Sequence, residues 1–102
     1  MRKKVSRQSE LVRLREQVSA VDYALVKLLA QRMDVARKIG EHKIKHGLSI
    51  KQVGREKELL KARMARAKEL GIDPKHVAKL YRIIMDESVR IQEELKKQKA
   101  KV

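Results

Sequence analysis

Residues 11–43 read LVRLREQVSAVDYALVKLLAQRMDVARKIGEHK. Apolar side chains fall on Leu11, Leu14, Val18, Val21, Leu25, Leu28, Val35 and Ile39. This three-and-four spacing is the stripe of one long amphipathic helix. One slot of the stripe, between Leu28 and Val35, holds Arg32. A cation in an apolar seam is costly unless an anionic group meets it. The preceding segment, Val26 to Gln31, offers no carboxylate to do so.

Outward from this stretch, Ser9 followed by Glu10 reads as the cap of the helix, with Ser6 as an earlier candidate. Residues 1–8 are then expected to be a flexible basic segment. On the other side, Gly40 lowers the propensity, yet helix formers continue to Lys45. His46-Gly47-Leu48-Ser49 reads as the stop. A second helix is predicted to start between Ser49 and Gly54 and to end near Leu70, closed by Gly71. Its inward face is Glu56, Leu59, Leu60, Arg63 or Met64, and Ala67. Asp73 caps a third helix with Pro74 at its first position. That helix carries Val77, Leu80, Tyr81, Ile84, Ser88, Ile91 and Leu95, and is expected to fray among the terminal lysines. The helical domain is set at 9–98, with 99–102 as a basic tail.

A helix over residues 9 to 45 is about 55 Å long, whereas a compact monomer of this size has a radius of gyration of about 13 Å. Two shorter helices of the same chain cannot cover it. The expected fold is all-α: one long and two shorter helices in an intertwined helical homodimer.

Composition agrees. In 102 residues there are two Tyr, no Phe and no Trp, and only one Pro and four Gly. Aliphatic cores of this kind suit helix-on-helix packing. No cysteine is present, which removes disulfides and thiolate chemistry. Of the histidines, only His42 and His46 stand at a helical metal-ligand spacing, and no third ligand is placed near them. No apolar run follows the basic N-terminal residues and no stretch has the length of a membrane span. A cytoplasmic location with neither membrane nor metal is therefore expected. The net charge of +14 draws heavily on Arg2, Lys3, Lys4 and Arg7 at one end and Lys96, Lys97, Lys99 and Lys101 at the other. Such ends are commonly solvated; they also suit an anionic substrate or nucleic acid. The scarcity of aromatics speaks against a nucleic-acid partner, since stacking platforms are missing.

Each predicted helix carries polar residues on its apolar face. The first has Arg32 and, eleven residues on, Lys43. The second has Glu56 preceded by Arg55, and the third has Ser88 and Gln92. Taken singly each has a structural explanation: an Arg32–Glu56 ion pair, a lysine at a helix end, surface charges, or a serine bonded to its own helix. Together they suggest one shared polar pocket, because several unpaired buried polar groups would be expensive. Cations outnumber anions among them, which favours a small carboxylate ligand. No covalent catalytic set is present, so an enzyme built on these residues works by orientation and electrostatics.

At these residues the chain resembles the all-helical (AroQ-type) chorismate mutases. The likeness begins at residues 11–43, continues through GREKELL and ends with IIMDESVRIQEEL, covering about residues 10–95. The resemblance implies a cofactor-independent Claisen rearrangement of chorismate to prephenate, in aromatic amino acid biosynthesis, by an interlocked homodimer. It implies that Arg15 and Arg32 bind the substrate carboxylates, with Arg15 donated across the interface. It further implies that Lys43 contacts a carboxylate and the ether oxygen, that Gln92 donates to the same oxygen, and that Arg55 and Ser88 hold a carboxylate. Glu56 would accept from the ring hydroxyl. Gln52 stands where the family often has an acid and is kept as a possible contact. Where some relatives carry a glutamate that must be protonated, this chain has Gln92, which donates at any ordinary pH. Two other readings stay open: isochorismate pyruvate lyase on the same fold, and a non-enzymatic basic helical dimer that binds nucleic acid.

Overall fold

The computed structural model describes the backbone of residues 2–101 and the side chains of residues 7–101. The described chain is all-α, with α1 at Arg2–Lys45, α2 at Val53–Glu69 and α3 at Pro74–Ala100. It divides into two units, Met1–Arg32 and Met33–Val102.

The first unit lies wholly within α1. Helical backbone starts at Arg2, ahead of the expected cap at Ser9. No Pro or Gly occurs in residues 2–8, so the helix meets nothing that would end it there. Every side chain from Arg7 to Gln31 is exposed. That includes the stripe itself: Leu14 is 43% exposed, Val18 60% and Leu28 59%.

The second unit holds the core. Both connections are closed by the same device. Leu48 N–H bonds Lys43 C=O at 2.8 Å and Gly47 N–H bonds Ile44 C=O at 3.3 Å. In the same pattern Ile72 N–H bonds Ala67 C=O at 2.8 Å and Gly71 N–H bonds Lys68 C=O at 3.2 Å. This paired capping needs a left-handed residue just past the helix end. Gly47 at φ 65° and Gly71 at φ 74° supply it without a Cβ penalty. At the start of α3, Asp73 accepts from Lys75 N–H at 3.0 Å, with Pro74 in the first turn.

α2 packs on α3. The inward face of α2 is the one the spacing predicts: Glu56, Leu59, Leu60, Arg63 and Met64 are half-buried and Ala67 is buried. The Arg63 guanidinium lies 5.7 Å from the centre of the Tyr81 ring, a cation–π contact that joins the two helices. On α3 the predicted face is largely the covered one, with Val77, Tyr81, Ile84, Ser88, Ile91 and Leu95 half-buried. Leu80 is 46% exposed, whereas Met85, which the predicted stripe omits, is buried. α3 also stays helical through Lys96, Lys97 and Lys99 to Ala100, where fraying was expected. Met1 and Val102 lie outside the described residues.

Candidate active site

A cleft of about 100 Å³ opens in the second unit, lined by Lys43, Gln52, Arg55, Glu56, Ser88 and Gln92 on a floor of Ile50, Leu59, Met85 and Val89. Six of the eight residues singled out in the sequence therefore meet at one place. The other two, Arg15 and Arg32, belong to the first unit.

Lys43 and Gln92 form the centre of the cleft. Lys43 Nζ donates to Ile50 C=O at 2.7 Å and to Gln92 Oε1 at 3.1 Å. The buried Gln92 in turn donates from Nε2 to Ala36 C=O at 2.9 Å. These partners fix the amide orientation. A flipped Gln92 would set its NH2 against the ammonium and its oxygen against a carbonyl. An ammonium has three N–H donors and an amide has two. Lys43 therefore keeps one donor, and Gln92 keeps one, beyond those used in the fold. Burial lowers the Lys43 ammonium below the usual lysine value, and the charge of Glu56 partly offsets this.

The approach of α3 to α1 at this point depends on Gly40. A Cβ there would stand 2.7 Å from Gln92 Cγ and 3.2 Å from its Cβ. Those atoms lie close to the α3 backbone and cannot swing aside alone. Gly40→Ala is expected to cost about 1–3 kcal/mol of stability by overpacking. It should also slow any reaction that uses the Gln92 amide roughly 100-fold through misplacement. Thermal unfolding and steady-state kinetics check this; an unchanged Tm with an unchanged rate would refute it.

The first turn of α2 supplies Arg55 and Glu56, and Gln52 occupies its N-cap. The Gln52 carbonyl accepts Glu56 N–H at 3.0 Å, while its side chain makes no capping bond. An aspartate at this position would also serve as a cap. Arg55 is exposed and its nearest acid is Glu58 at 3.8 Å. Glu56 is met by Arg82 at 2.9 Å and Lys51 at 3.8 Å. Ser88 lines the cleft, and its Oγ donates to Ile84 C=O at 3.1 Å, the bond within its own helix that the sequence also allows. Arg82 is not among the residues that the sequence singles out; its part in the site shows only in its ion pair with Glu56.

The rings of His42 and His46 stand 4.3 Å apart. Among the described residues no group of three potential ligands gathers around a metal position. No helix among them is long and apolar enough to cross a membrane.

Fold and site together define an all-helical protein with a cation- and amide-lined cleft suited to a small polar anion. The pattern described as chorismate mutase type II matches residues 14–93, and the chain belongs to that family. It is 39% identical over 80 residues to the T-protein of Enterobacter agglomerans, covering 78% of this chain and 21% of that protein. It is 34% identical over 90 residues to the 4-amino-4-deoxychorismate mutase of Streptomyces venezuelae, covering 87% of this chain and 86% of that one. Against the bifunctional chorismate mutase/prephenate dehydratase of Escherichia coli (strain K12) it is 31% identical over 91 residues, covering 89% and 24%. The chain thus spans about a quarter or less of the T-protein and the bifunctional relative.

Proposed function

We propose that this chain is a chorismate mutase, converting chorismate to prephenate without a cofactor, as a cytoplasmic homodimer. The observation that carries the reading is the Lys43–Gln92 pair, which holds two spare donors side by side in a cleft of a family member. In the rearrangement one C–O bond of the ether breaks while one C–C bond forms within the same molecule. Negative charge builds on the ether oxygen. Lys43 and Gln92 meet that charge with donors already fixed by Ile50 and Ala36, so no reorganisation is needed at the moment of reaction. Arg55 and Ser88 hold a carboxylate, Glu56 accepts from the ring hydroxyl, and Gln52 stands at the same end of the cleft as a contact beside that hydroxyl.

The second copy has a physical basis. An apolar stripe exposed from Leu11 to Leu29 is far more than a monomer leaves in water. A ligand pocket commonly has about 300–1,000 Å³, so the cleft of about 100 Å³ takes only part of a substrate. In the proposed dimer Arg32 clamps one carboxylate, and Arg15 reaches in from the partner to clamp the other.

The test is product identification with purified protein. Prephenate from chorismate supports the reading. Pyruvate from isochorismate, without prephenate, moves it to the lyase. The relative that this chain covers almost end to end is named for 4-amino-4-deoxychorismate, and Glu56 accepts from an amine as well as from a hydroxyl. That compound belongs in the same assay; a clear preference for it would reassign the substrate.

A further inference from the structure

Glu56 is held from outside the cleft that it lines. Its side chain is only 12% exposed, and two cations meet the same oxygen: Arg82 Nη1 stands 2.9 Å from Oε1 and Lys51 Nζ stands 3.8 Å from it. Arg82 itself is absent from the cleft lining. It is 43% exposed and is steadied from behind by Asp86 at 3.7 Å, one helical turn along α3. The charged groups around Glu56 therefore come from every side: Lys43 from α1, Lys51 from the connection, Arg55 beside it on α2, and Arg82 with Asp86 from α3.

We infer that Arg82 is a positioning residue, which grips Oε1 of Glu56 and so presents Oε2 to the ring hydroxyl of the substrate. A glutamate has three rotatable bonds, and a carboxylate left to turn in a cleft loses that freedom only when the ligand binds. A charge-assisted bond to a guanidinium, itself braced by a second acid, removes the freedom beforehand. Because Arg82 stands 26 residues from Glu56, the bond also ties the first turn of α2 to the third turn of α3. The positive charge held on Arg82 by Glu56 supports the same picture: the bond raises an already strong base.

The inference rests on the mutase reading, and its kinetic signature follows from where the hydroxyl lies. The ring hydroxyl takes no part in the bonds that break and form. A contact to it binds ground state and transition state alike, so its loss raises KM and spares kcat.

The experiment compares wild-type protein, Arg82→Ala, Arg82→Lys, Glu56→Ala and the Arg82→Ala/Glu56→Ala double variant, each with steady-state kinetics on chorismate and thermal unfolding. Arg82→Ala should raise KM about 10-fold, the size of one charge-assisted hydrogen bond, with kcat within about twofold of wild type. Arg82→Lys should recover part of this, since it keeps the charge on a single prong. In the Glu56→Ala background the Arg82 substitution should change KM no further, because the residue through which it acts is gone. An Arg82→Ala variant with wild-type KM would overturn the inference. So would a KM effect that persists undiminished without Glu56, which marks a merely structural ion pair. Absence of turnover by the wild type would sink the mutase reading and this inference with it, and is seen before any variant is made.

Discussion

Replacing Lys43 with alanine should leave a folded helical protein whose kcat falls by at least about 100- to 1,000-fold. Two roles end at once. One donor to the developing charge is removed, and the Gln92 amide loses one of the two partners that orient it. The stability cost should be modest, about 1–3 kcal/mol for the two hydrogen bonds lost, because Lys43 is only half-buried. Far-ultraviolet circular dichroism and thermal unfolding separate this from a folding defect. The wild-type pH profile offers a second check on the same residue. Only the ammonium brings a positive charge to the developing oxyanion, and burial lowers its pKa. The alkaline fall of the rate should therefore begin below the usual lysine range, and it should disappear with Lys43. On the acid side Gln92 contributes no limb, since an amide donates throughout. Wild-type turnover by Lys43→Ala would remove the residue from the mechanism.

What the sequence made legible, and what it hid, divides by distance along the chain. Local signals read well. Gly47, Gly71, Asp73 and Pro74 placed the ends of the elements, and the period of α2 picked out its buried face from Glu56 to Ala67. Polar residues on apolar faces pointed to the cleft before any geometry was known, because a buried polar group implies a partner. Pairings across the fold did not read. On α3 most of the predicted face is covered, but Met85 is buried and Leu80 exposed, since which edge of that face is covered depends on the neighbouring helices and not on the period of α3 alone. Gly40 looked like a weak point in a helix; its meaning lies in Gln92, fifty-two residues later, which packs where a side chain would stand. Nothing along the sequence marked Arg82, and only the close approach of Glu56 gives it a role. The start of α1 was misplaced for a different reason. Ser9 is a competent cap, but capping competes with propagation, and nothing in residues 2–8 opposes propagation.

Mixing two inactive variants should restore activity, and this is the sharpest consequence of a shared site. Arg15 and Arg32 are seventeen residues apart on one continuous helix, about 26 Å and about 100° of rotation. One small molecule cannot touch both from the same helix. If Arg15 serves the partner's cleft, then Arg15→Ala and Lys43→Ala homodimers each carry two broken sites. Unfolding a one-to-one mixture and refolding it should give about half heterodimers. In a heterodimer, the cleft with an intact Lys43 receives an intact Arg15 from the other chain, while the remaining cleft carries both lesions. About a quarter of all clefts are then wild type, and the refolded mixture should recover about a quarter of the wild-type rate. Were Arg15 to serve its own chain, every cleft in the mixture would carry one lesion and nothing would be recovered. Refolding each variant alone gives the baseline, and sizing the products shows whether dimers formed. Dimers without recovery would put Arg15 outside the partner's site; monomers would leave the exposed stripe from Leu11 to Leu29 without its proposed cover.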